Sequence, residues 1–105
     1  MVGRVWHGYT THDNADVYES ILRNEVIPGI ASMEIEGYRR IVVFRRKLKD
    51  EVEFITIMWF DSLDEIKAFT GEDYERSHVP SQARAVLKRF DDRSAHYDIV
   101  ETIEY

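Results

Sequence analysis

The chain has 105 residues, enough for one globular domain over 1–105, and its 44% apolar content separates it from disordered sequences. It has no cysteine, so disulfide scaffolds, thiolate metal sites and iron–sulfur clusters are excluded. A formal net charge of −6 at pH 7 argues against a nucleic-acid partner, because phosphate binding needs a basic surface.

No secretory signal is evident at the start: Arg4 and His7 interrupt any apolar core, and no run approaches the ~18 apolar residues of a membrane span. A soluble cytoplasmic protein with no membrane partner is the expectation. Val2 to Thr11 is rich in β-branched and aromatic residues and reads as a first strand. Thr11-His12-Asp13-Asn14 then supplies capping side chains, after which Ala15, Tyr18, Ile21, Leu22 and Val26 recur at helical steps. Pro28-Gly29 should kink or end that helix, with a ragged turn to about Met33.

Gly37 opens a second strand, Tyr38 to Leu48, and after the polar break Lys49-Asp50 the chain returns as a third, Glu51 to Phe60. The basic residues clustered between Arg39 and Lys49 read as the solvated ends of this hairpin; a carboxylate-binding arginine is the other reading. Ser62-Leu63-Asp64-Glu65 is a capping box for a short helix that Thr70-Gly71 stops. Pro80 suits the first turn of another helix, whose apolar stripe is Ala83, Val86, Leu87 and Phe90. Ser94 to Glu104 alternates as a last strand.

That order predicts an α+β, ferredoxin-like βαββαβ fold: helices on one face of a four-stranded antiparallel sheet, with the first and third strands central. The third strand is apolar on both faces, with Phe54, Met58 and Phe60 on one and Ile55, Ile57 and Trp59 on the other. One subunit's helices cover a single face. Leaving Phe54, Met58 and Phe60 in water would forgo roughly 5–9 kcal/mol, which predicts a second copy packed sheet to sheet.

Trp59, on the parity of Ile55 and Ile57, is then a core aromatic or a flat pocket wall beneath the helices, if those two residues face them. Trp6 carries the same two readings. His78, just ahead of Val79-Pro80, is an exposed or capping histidine, or else a general base or axial iron ligand. Trp59 and His78 are expected to share one pocket wall. Tyr74 either offers its phenol to that pocket or sits on a surface loop. His7 and His96 lie on strands that neighbour or face each other, and parity leaves their meeting open. None of the four histidines has local metal-ligand spacing, so no metal site is expected.

Ile55-Thr56-Ile57-Met58-Trp59, followed by Ser62-Leu63-Asp64-Glu65, Phe69, Tyr74 and His78, resembles the antibiotic biosynthesis monooxygenase family of dimeric α/β barrels. The likeness covers nearly the whole chain. It implies a homodimer sharing a β-barrel, with a pocket between sheet and helices in each subunit. Heme-degrading members of that family use a Trp, a His that ligates iron and an Asn on the first strand. Trp59 and His78 resemble two of these, but the first strand, Arg4-Val5-Trp6-His7-Gly8-Tyr9, has no Asn. The other branch resembled is the cofactor-independent, quinone-forming monooxygenases.

The leading expectation is therefore oxygenation of an aromatic or polycyclic phenol without any cofactor, with His78 and Trp59 catalytic and Trp6, Tyr74, His7 and His96 around the substrate. Heme binding through His78 is the alternative cofactor reading, and a non-catalytic dimer holding a small hydrophobic ligand is the third. An RNA-binding module shares the strand order, but Glu53 to Phe60 lacks the basic, glycine-containing motif such modules carry.

Overall fold

In the computed structural model, which describes all of residues 1–105, β1 (Val2–Thr10) lies in the middle of an antiparallel sheet. It pairs along its whole length with β3 (Val52–Phe60), from Val2 opposite Phe60 to Thr10 opposite Val52. β2 (Tyr38–Lys47) pairs with the other side of β3. Two short strands, β4 (Arg89–Phe90) and β5 (Ala95–Asp98), share the remaining side of β1. The order β2-β3-β1-β4, with β5 beside β1 as well, gives the α+β ferredoxin-like arrangement with β1 and β3 central.

The first helical stretch is longer than the Pro28-Gly29 signal predicts. α1 (Ala15–Ile21) passes through a π-helical turn (Leu22–Val26) into α2 (Ile27–Ala31). Pro28 stands in the first turn of α2, where its missing N–H costs little, so the irregularity precedes the proline and the helix survives it. α3 (Leu63–Thr70) starts at Ser62, whose Oγ accepts from Asp64 N at 3.3 Å and donates to the Glu65 carboxylate; Gly71, at φ +92, ends it.

The second half of the chain departs most from expectation. α4 (Ser81–Arg84) is a single turn, because β1 captures the backbone that was to continue it: Lys88 N donates to Tyr9 O at 2.7 Å and Asp91 N to His7 O at 2.9 Å. Phe90 is thus a strand residue rather than the end of a helical stripe. The fourth strand is split into β4 and β5 and stops at Asp98, not at Glu104. Ile99 N still bonds Met1 O at 3.0 Å, just past the last paired residues, Val2 and Asp98.

Face assignment is reversed as well. Phe54, Met58 and Phe60 lie under the helices, not toward a partner: Phe54 meets Tyr18 edge-on at 4.8 Å, and Phe60 stacks on Phe69 at 6.1 Å. Ile55, Ile57 and Trp59 occupy the opposite face with Val5 and Val42, all partly exposed, and with Phe44 and Tyr97, which are 52% and 61% exposed. The sheet is apolar front and back, as its sequence predicts, but with the two roles exchanged.

Candidate functional site

A cavity lies between the helix-facing side of the sheet and the helices above it. Arg4, Trp6 and Met58 form its sheet wall, Tyr18 and Leu22 contribute from the first helix, and Phe69 comes from α3. His78, Val79, Pro80 and Ala83 close the remaining side. Most of this lining is apolar. The space is narrow, about 50 Å³ open to the centre of a water-sized sphere. At ~10–15 Å³ per water that is room for roughly three to five waters, so a fused-ring ligand must move side chains to enter.

Strand parity places the wall residues. Arg4 and Trp6 alternate with Val5, so both point at the helices, opposite Met58 and Thr56. The indole of Trp6 donates from Nε1 to Asp91 O at 2.9 Å and lies over Gly8, where an added Cβ would stand 2.5 Å from the ring. Only a glycine leaves room for that ring pose.

His78 is held by the break between β4 and β5. Ser77 donates from N to Asp92 O at 3.1 Å and from Oγ to Asp91 O at 2.6 Å, and Ser94 N donates to Glu75 O at 2.7 Å. These bonds pin the segment after α3, which sets the His78 ring against Phe69 at 4.9 Å. His78 is exposed on its outer side, yet its inner contacts desolvate it. Burial, then the charge of Arg4, holds its imidazole below the ordinary histidine range.

Arg4 is the buried charge of the site, only 3% exposed. Its Nη1 donates to Tyr74 O at 2.6 Å and to His96 Nε2 at 2.9 Å, and its Nη2 donates to Arg76 O at 2.8 Å. Because a guanidinium can only donate, His96 Nε2 must be the accepting nitrogen and the His96 proton sits on Nδ1. That Nδ1 is buried without a partner. His96 is likewise held below the ordinary range, by burial first and then by Arg4, with Glu75 opposing.

The residues singled out from sequence are thus divided among three places. Trp6 and His78 share the cavity. Tyr74 and His96 lie behind Arg4, edge to face at 5.4 Å, and line a separate surface depression. Trp59 is a correction: it stands on the far face of the sheet, stacked under Arg40 at 5.1 Å, and shares no wall with His78. His7 is also on that far face, with Nδ1 2.7 Å from Asp91 Oδ2. Sequence reasoning gave no site role to Arg4, Phe69 or Met58. The signal was present in Glu53, a carboxylate on the parity of Trp59, which marks that face as the one the helices leave uncovered.

No protein-family model matches the chain, and no curated protein does. Solved structures do match over its whole length. A proposed antibiotic biosynthesis monooxygenase from Bacillus cereus superposes with a TM-score of 0.67 at 12% identity, covering 99% of this chain and 97% of that one. SnoaB, a cofactor-independent oxygenase from Streptomyces nogalater, gives 0.61 at 15% identity, covering 99% and 98%. A single-residue variant of SnoaB gives 0.56 at 16%. The strand order, the split helices and these whole-length superpositions establish that the chain has the antibiotic biosynthesis monooxygenase fold.

Proposed function

We propose that the protein is a cofactor-independent oxygenase that oxidises a small aromatic phenol in the cavity between sheet and helices. The observation that carries this reading is His78: an imidazole kept neutral near pH 7, on the wall of an apolar cavity, in a fold shared with such an oxygenase. A neutral imidazole can take the phenol proton. The resulting phenolate is electron-rich enough to pass an electron to oxygen. Radical recombination then forms a carbon–oxygen bond as a hydroperoxide, and loss of water leaves a carbonyl. One oxygen atom ends in product and the other in water, with the electrons drawn from the substrate. In this scheme Trp6, not Trp59, is the flat wall against which the ring packs.

The narrow cavity favours single-ring substrates, or fused rings admitted by displacement of the His78–Pro80 wall. The heme-degrading alternative is not supported by the residues present. Trp59 and His78 stand on opposite sides of the sheet, and the β1 side chains at the cavity are Arg4 and Trp6, not an Asn. The same reading takes the protein as a homodimer joined through the second sheet face.

Oxygen uptake across a panel of mono- and polycyclic phenols tests the activity. The expected result is turnover that His78→Ala lowers by roughly 10²–10⁴-fold, the usual contribution of a positioned base. Wild-type uptake no faster than buffer on every phenol overturns the reading. Ligand binding without uptake would leave a small-molecule-binding protein instead.

A further inference from the structure

We propose that Arg4 makes this cavity selective for anions: it holds the ionised oxygen, carboxylate or phenolate, of a small aromatic ligand. The inference rests on the cavity being a ligand site, as the oxygenase reading has it, but not on turnover.

Three observations converge on Arg4. First, it is the charged side chain of the buried set, at 3% exposure, and it lines the cavity. Second, every partner it has is neutral: two backbone carbonyls, an imidazole nitrogen and the face of the Phe69 ring at 5.5 Å. A buried cation is ordinarily matched by a carboxylate, because desolvation of an unmatched charge is costly. No carboxylate pairs with it, and those flanking its carbonyl and histidine partners are engaged elsewhere: Glu75 and Asp73 pair with Arg93, and Asp91 pairs with His7. Third, its bonding is incomplete. Nε and one N–H of Nη2 donate to nothing, which is the number of donors a carboxylate takes in a two-pronged contact and more than a phenolate needs.

The surroundings reinforce the assignment. The chain as a whole carries −6, so its overall field repels anions, and any anion preference must be local. His78 and His96, the titratable neighbours of Arg4, are both held toward their neutral forms, in part by Arg4 itself. Near pH 7 the guanidinium is therefore the cation of the cavity. The apolar lining receives the ring, while Arg4 fixes which atom points at β1. For a phenol substrate this contact would stabilise the ionised form on which oxygenation depends.

The test uses the intact wild-type protein and matched probes, the charge comparison being made at pH 7.5. Benzoate and benzamide have the same shape and differ in charge, and both are followed by tryptophan fluorescence. 4-Nitrophenol, whose ionised form absorbs in the visible, is added at a pH where it is mostly protonated. The expected result is benzoate bound at least 10-fold more tightly than benzamide, or 4-nitrophenol bound as its coloured phenolate. The first outcome identifies a carboxylate ligand, the second a phenolate. Arg4→Gln abolishes whichever preference is seen; where that variant does not fold, the wild-type comparison decides alone. Benzamide bound as tightly as benzoate, with 4-nitrophenol left protonated or unbound, overturns the proposal. Anion selectivity without oxygen uptake would remove the oxygenase reading and leave Arg4's role standing, whereas uptake without selectivity would do the reverse.

Discussion

Trp6 shows how a single position can set a site. Its ring occupies the space that a Cβ on Gly8 would need, with Leu87 Cδ2 at 3.2 Å from the same point. Gly8→Ala must therefore displace the indole or the strand. The expected cost is about 1–3 kcal/mol by urea denaturation, with a shift of tryptophan emission as Trp6 leaves its pose. The two desolvated histidines make a second prediction, in pH. Burial and Arg4 hold both below the ordinary value of 6.5 in the folded chain. Between the folded and unfolded values the unfolded state binds more protons, so stability is complete above about pH 6.5 and is lost as pH falls through that range. Thermal melts from pH 7.5 to 5 should show this decline, and His78→Gln should make it shallower. A flat profile over that range would contradict the assigned desolvation.

At the scale of elements, the split of the fourth strand is what assembles the cavity. Asp91 occupies the break. Its Oδ2 accepts from His7 N at 2.9 Å and from His7 Nδ1 at 2.7 Å, while its main-chain carbonyl takes Trp6 Nε1 and Ser77 Oγ. One residue thereby ties β1, the indole and the His78 segment together. Asp91→Ala keeps the carbonyl contacts but leaves His7 N unsatisfied. The site is partly exposed, so the expected loss is about 1 kcal/mol, read as a lower urea midpoint at unchanged slope. The π-helical turn at Leu22–Val26 has a comparable role, since it sets the rotation that brings both Leu22 and Ile30 to the cavity.

At the scale of the whole molecule, the second sheet face is left uncovered. Val5, Val42, Phe44, Ile55, Ile57 and Trp59 form a contiguous apolar surface with no helix over it. The residues after β5 add Val100, 96% exposed, to the apolar surface left unburied. Surfaces of this kind on a small chain mark an interface. The homodimer reading predicts a species of about twice 12.4 kDa by light scattering at micromolar concentration. Ile57→Asp, at the centre of that face and away from the cavity, should return it to a monomer while preserving the far-UV spectrum. A wild-type monomer at that concentration would remove the assembly. No helix is long and apolar enough to cross a membrane.

The order of elements was legible in the residues themselves, because helical and strand periodicities are local and survive without knowledge of what they pack against. So was the doubly apolar third strand, and with it the expectation of a cavity under one face. Which face went inside was not legible. Phe54 and Ile55 are equally apolar, and their choice is made by Tyr18 and Phe69, elements far away in sequence. The same holds for the site. His78 and Trp6 were recognisable as candidates, but their meeting, the exclusion of Trp59 and the burial of Arg4 depend on strand parity and on the break at Asp91. Local pattern determined what each segment would become; only side-chain contacts between distant segments decided which surfaces were hidden and which groups came to share a cavity.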